Sequence, residues 1–338
     1  MKKLTLPPQY LALLILPVLV LVTSEGLLSA FGDPDVDLGE LAFVAVPELA
    51  ELAGRYRFLA IFFFYGACCV TVIALFAMDL AAHQSLRSIG LAGLGFVGLV
   101  GFSILFSILE PAWMGSFEAY ALLGATLFEE GLRGGSAQIC GVDLCDGKGA
   151  FYVMKFLLDQ TNWMSALAVS AVVLGMVWSL STSGKPDLKS AEGIAAEGAW
   201  IEAAQKRMRR YLYLAGLLLS VGMMMGFAWM KWPTGLLADV QQKAQFESLV
   251  DAVALFRGSS YSVLILSFYM PVSLVLAQRI ERYEAARVTG KTKDVAPKFE
   301  GFDIERIGTL DSFKAIVSIL APVLASAVGT FIDPGLLG

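Results

Sequence analysis

The stretch "SIGLAGLGFVGLVGFSILFSILE", residues 88–110, decides what kind of protein this is. Inside it, "GLGFVG" at 93–98 fits Gly-x-Gly-x-x-Gly, the spacing that lets a turn approach the phosphates of a dinucleotide. That turn belongs between a strand and a helix of a soluble βαβ unit, with an acidic residue about twenty positions on to hold the ribose. No strand precedes these glycines, and no charged residue interrupts the run from Ile89 to Leu109. Glu110 is at a suitable distance, but it closes the same run. The stretch is therefore one apolar helix, within the roughly 17–25 residues that cross a bilayer.

Composition extends that reading to the whole chain. Of 338 residues, 57% are hydrophobic and 16% charged, and the mean hydropathy is +0.69. A soluble domain carries about 25% charged residues, so this chain cannot clothe its core in polar surface. Five further runs have spanning length: Tyr10 to Phe31, Phe58 to Ala82, Met164 to Leu180, Tyr211 to Met230 and Tyr261 to Ala277. None alternates as a membrane β-strand does. A seventh run, Phe313 to Ile332, begins near Lys314 and is rich in small residues. It suits a span, an interfacial helix or a helix packed inside the bundle. The expected fold is an all-α polytopic membrane protein with six to seven transmembrane helices.

Charge orients the spans. With the N-terminus in the cytoplasm, most of the 25 Lys and Arg fall on that side, including "KRMRR" at 206–210 and "RIERYEAARVTGKTK" at 279–293. The location expected is a bacterial-type inner membrane. Cys140 and Cys145, in "QICGVDLCDGKG", then lie outside, where a disulfide persists and where their Gly-rich loop permits one. Cys68 and Cys69 sit within the second span and suit packing. Met-Lys-Lys before an apolar run also resembles a signal peptide, but Glu25 and the apolar continuation favour a retained helix.

Three parts follow. Residues 1–182 form an N-terminal membrane part with four spans, acidic outer loops and the Cys140/Cys145 loop. Residues 183–311 hold a stalk helix, the hairpin of spans five and six, and a cytoplasmic linker. Residues 312–338 form a C-terminal apolar helix. In the outer loops, "VPELAELAGRY", "SFEAYALLGATLFEEGL", "AFYVMKFLLD" and "LLADVQQKAQFESLVDAVALF" suggest interfacial or amphipathic helices. Inside, "KSAEGIAAEGAWIEAAQKRMRRYLYL" is rich in helix formers and runs into span five. Span six continues through "LVLAQRIERYEAARV". The two extensions should pair as a stalk, with Trp200, Ile201 and Met208 facing Ile280 and Tyr283.

Candidate functional residues are few. Gly90, Gly93, Gly98 and Gly101 share one face of the third helix, where small residues let another helix come close. Ser103, Ser107 and Glu110 fall on the opposite face and are candidates for a polar stripe or pore lining. The alternative is serines bonded back to their own helix, with Glu110 among the headgroups. Glu25 is the other carboxylate of that leaflet. Asp79 and His83 are four residues apart, so they share a face and could relay a proton. Ala321, Ala325 and Gly329 form a second small-residue row for helix docking. Pro17, Pro271 and Pro322 lie within apolar runs and can kink them.

The single histidine and the lack of a Walker A, His-Glu-x-x-His or Gly-x-Ser-x-Gly motif argue against an enzyme. No metal, cofactor or nucleic acid is expected, and the expected partners are the lipid bilayer, further copies or other membrane subunits. A carrier generally shows two similar halves and charges at the membrane midplane, and neither is evident. The expected function is a homo-oligomeric channel or pore-type protein. The alternatives are a non-catalytic accessory or assembly subunit, or a sensor coupling the outer loops to the stalk.

Overall fold

A computed structural model describes residues 5–31, 41–44, 49–83, 85–113, 122–133, 147–182, 188, 190–289 and 309–331. Eight α-helices run through them: α1 Ile15–Phe31, α2 Leu49–His83, α3 Leu86–Trp113, α4 Leu127–Arg133, α5 Gly147–Trp178, α6 Ala191–Lys231, α7 Val240–Thr289 and α8 Thr309–Phe331. A 3₁₀ turn, Pro8–Leu14, leads into α1, and a π turn, Leu122–Thr126, leads into α4. No strand occurs among the described residues, only two isolated bridges. Among the described residues six helical stretches are long and apolar enough to cross a membrane. The protein is thus all-α and polytopic, as its composition requires.

Local chemistry sets the helix ends. Ser190 caps α6 by accepting from the Gly193 N–H at 3.1 Å. Ser85 accepts from the Ser88 N–H at 3.2 Å at the head of α3. The Asp239 carboxylate accepts from the N–H groups of Gln241 and Gln242 at 2.7 and 3.1 Å, starting α7. Pro233, with no N–H to donate, follows the end of α6 and opens the 3₁₀ turn Pro233–Leu236. Where such punctuation is missing, the helices do not stop at the membrane. Residues 49–57 are the first turns of α2, and "AFYVMKFLLD" lies inside α5. The segment after Val240 is the first part of α7. These outer segments are therefore extensions of spans, while the described part of "SFEAYALLGATLFEEGL" forms the π turn and α4.

The bundle is built on α6, which packs against α2, α5, α7 and α8. α7 also holds α1 and α8, and α5 holds α3 and α4. The core is apolar and filled by large side chains, with Trp229, Tyr211, Phe58, Phe128 and Phe268 fully buried. Two backbone clips close opposite ends. Thr5 and Thr182 exchange both hydrogen bonds at 2.8 and 2.9 Å, tying the chain before α1 to the chain after α5. At the other end Val44 N–H donates to Leu236 O at 2.9 Å and Ala238 N–H to Ala42 O at 2.8 Å.

α6 has 41 residues and α7 has 50. At a 1.5 Å rise they are about 60 and 75 Å long, against a hydrocarbon core of about 30 Å. Both project beyond it; Ile201, Ile280 and Tyr283 are buried there, and the Tyr283 ring lies against Gly198. α8 is docked along α6 and α7. Its described apolar part is Phe313–Ala327. Phe313, Ile316 and Leu324 remain exposed on its other side.

Candidate functional site

Four polar clusters tie helices together. Where α6 and α7 project, Arg279 of α7 donates to Glu197 of α6 from Nε to Oε1 at 3.0 Å and from Nη2 to Oε2 at 3.2 Å. The same guanidinium lies 3.7 Å from the Trp200 ring centroid, and Trp200 Nε1 donates to Ser181 O at 2.6 Å. At the opposite end Arg55 holds Glu51 through both carboxylate oxygens, and Trp232 Nε1 donates to Glu51 Oε1 at 2.8 Å. Glu51 is 1% exposed and belongs to an aromatic plug in which Trp232 meets Phe58 and Phe128 at centroid distances of 5.7 and 5.1 Å.

The third cluster is Glu25 of α1 with Arg257 of α7. Both side chains are largely buried, and a charge in such a place needs a counter-charge. Sequence reading put Glu25 and Glu110 in the same leaflet; the partner described for Glu25 is Arg257. That partner was hidden because Arg257 precedes the apolar run Tyr261 to Ala277 and reads as a loop residue. It is on a helix because α7 is continuous from Val240. The Glu110 side chain lies outside the described residues.

The fourth cluster sits where the spans of α2 and α5 end, near Ala81 and Trp178. The Asp79 carboxylate accepts from Arg210 Nη2 and from the Tyr211 hydroxyl, the latter at 2.8 Å. His83 ends α2, but its side chain lies outside the described residues, so the Asp79–His83 pair is not described. A shallow, open recess of about 10 Å³ lies beside Asp79. Phe76, Leu80, Gly175, Trp178, Arg207 and Tyr211 complete its lining. Gly175 is required there, since a Cβ on it would fall 2.1 Å from the Tyr211 ring. Arg207 Nε and Nη2, Arg210 Nε and Trp178 Nε1 are buried and have no hydrogen-bond partner among the described residues. Sequence reading used "KRMRR" only for orientation and missed this site. The available signal was the coincidence of Asp79 and Arg210–Tyr211 at matching span ends.

The other candidate residues are placed as follows. Gly90, Gly93, Gly98 and Gly101 are on one exposed side of α3, where an added Cβ would meet nothing within 4 Å. α3 meets α5 instead through a different glycine, Gly95, whose Cβ would lie 3.1 Å from Leu174. The Ser103 hydroxyl donates to Leu99 O at 3.0 Å, the local bond expected of a serine inside a membrane helix. Ser107 is in α3 with its side chain outside the described residues. On α8, Ala321 and Ala325 are half-buried beside the row that makes the closest contact, Ser318, Pro322 and Ser326. The Gly329 position is helical. Cys140 and Cys145 lie outside the described residues, while Cys68 and Cys69 are free and buried. Among the described residues no group of three or more His, Cys, Asp or Glu is arranged for a metal.

Together the fold and these clusters define an all-α integral membrane protein in which Glu25, Asp79 and Glu197 each pair with an arginine of another helix. Compared with protein-family models, curated proteins and solved structures, the chain matches none.

Proposed function

We propose that this protein is a non-catalytic subunit of a membrane assembly and that α3 is the helix it offers to its neighbour. One contrast carries the reading. Gly124, Gly175, Gly216 and Gly258 each lie so near another part of the chain that a Cβ would come within 2.0–2.6 Å of it. The four glycines on the outer side of α3 have nothing within 4 Å, and Leu94 and Val97 beside them are 71% and 69% exposed. In lipid, helices associate through close packing at small residues. α3 stands at the edge of the bundle, held mainly by α5, with that surface turned away.

The neighbour sets the kind of assembly. A second copy makes it the homo-oligomeric channel-type protein that the sequence suggests. Any conducting path would then run between copies, because the described core is filled. A different protein makes the chain an accessory subunit. The test is mass measurement after extraction in native lipid discs, with Gly93→Leu and Gly98→Leu combined as the variant. The wild-type chain is expected well above its 36.3 kDa protomer mass. The double variant, whose new side chains enter open space in the protomer, should remain folded and lose association on the order of tenfold. Added mass in multiples of 36.3 kDa, with ion flux in liposomes that the double variant loses, supports the channel form. Added mass from another protein supports the accessory form. A lone protomer, or an assembly that ignores the double variant, refutes the proposal.

A further inference from the structure

We propose that the recess between α2, α5 and α6 binds the phosphate of an anionic lipid headgroup. Its geometry is independent of the α3 surface. Asp79, the carboxylate in the lining, is matched by Arg210 from outside it, which leaves Arg207 in the lining without a counter-charge among the described residues. That carboxylate is already engaged by Arg210 and the Tyr211 hydroxyl. Arg207 is left with Nε and Nη2 buried and unpaired. Trp178, only 5% exposed, holds its Nε1 donor equally unpaired. Buried donors are normally satisfied, and an unpaired guanidinium edge is shaped for two parallel bonds to a phosphate or carboxylate. Two orphan donors of one guanidinium and an indole N–H around one recess make a ready anion cradle.

Depth selects the lipid as the source of that phosphate. Asp79 and Trp178 stand at the ends of the apolar stretches of α2 and α5, and Tyr211 begins the apolar run of α6. The recess is thus at headgroup level. Phe76, Leu80 and the Trp178 ring supply an apolar wall beside the donors, as an acyl chain below a headgroup requires. Basic pockets between transmembrane helices at this level recognise anionic headgroups. A free phosphate would use the donors but not that wall.

The test is native mass spectrometry and thermal unfolding of the full chain in neutral detergent, titrated with phosphatidylglycerol, phosphatidylcholine or inorganic phosphate. Phosphatidylglycerol is expected to stay bound and to raise the melting temperature, and phosphatidylcholine to do neither. Arg207→Gln should weaken that binding on the order of tenfold. Trp178→Phe, which keeps an aromatic ring but removes the N–H, should weaken it less. Lys206→Gln removes the same charge one residue away, on an exposed side chain already paired with Glu202, and should leave binding unchanged. Without lipid, Arg207→Gln should melt no lower than the wild type, because it removes an unpaired buried charge; that separates lost binding from lost folding. Equal binding by Arg207→Gln and the wild type overturns the site, as does equal weakening by Lys206→Gln. An equal response to inorganic phosphate overturns the lipid assignment.

Discussion

At the scale of single residues, the buried carboxylates Glu25, Glu51 and Glu197 each face an arginine. Glu197 and Arg279 are 8% and 14% exposed. Removing one partner of such a pair leaves the other uncompensated and typically costs about 3–5 kcal/mol, whereas replacing both with apolar residues is often neutral. Glu197→Ala is therefore expected to lower unfolding free energy by about that much. The double variant Glu197→Leu, Arg279→Met should recover most of the loss. Chemical denaturation in detergent, read by tryptophan fluorescence, measures both, and Trp200 over the Arg279 guanidinium supplies a local reporter. The charges themselves were visible in the sequence. Their partners were not: Glu197 and Arg279 are far apart along the chain, and only the antiparallel packing of α6 on α7 joins them. The α3 glycines show the same limit. Their shared face follows from helical periodicity, but Gly95 alone is used inside the chain.

At the scale of elements, α8 is the least predictable helix and the one with the clearest mechanical test. A Cβ on Gly216 would lie 2.6 Å from Ser318 O, and one on Gly258 would lie 2.8 Å from Pro322 O. Because these contacts are with backbone, the seat cannot adjust by a rotamer change. Gly258→Leu should cost docking about 1–3 kcal/mol through overpacking while leaving α7 helical. Ser326→Cys reports it: buried at 1% exposure, it should resist maleimide in the parent and react readily beside Gly258→Leu. Helix existence was legible because apolar runs of this length have few alternatives. Helix ends were less so. Residues 49–57, 150–159 and those after Val240 read as separate interfacial helices by their mixed polarity, yet with no proline to stop them they continue the spans. That continuation also brought Arg257 onto α7, within reach of Glu25.

At the scale of the whole molecule, the two backbone clips require alternating passage. Thr5 meets Thr182 at one end, and Phe43 meets Leu237 at the other. In a background with the four native cysteines replaced, Thr5→Cys and Lys206→Cys should label from one side of a sealed membrane and Val240→Cys from the other. A membrane-impermeant maleimide on inside-out and right-side-out vesicles decides it, and the basic flanks predict that Thr5 and Lys206 face the cytoplasm. Composition and periodicity alone determined that the chain is helical, that it dwells in lipid and roughly where it crosses, because the cost of exposing apolar surface to water or bare backbone to lipid is set by local sequence. Tertiary structure alone decided which charges neutralise one another, which glycines are filled and which stand open, and that Arg207 and Trp178 share a recess with unspent donors. Those outcomes depend on the relative placement of helices distant in sequence, and no local pattern encodes that placement.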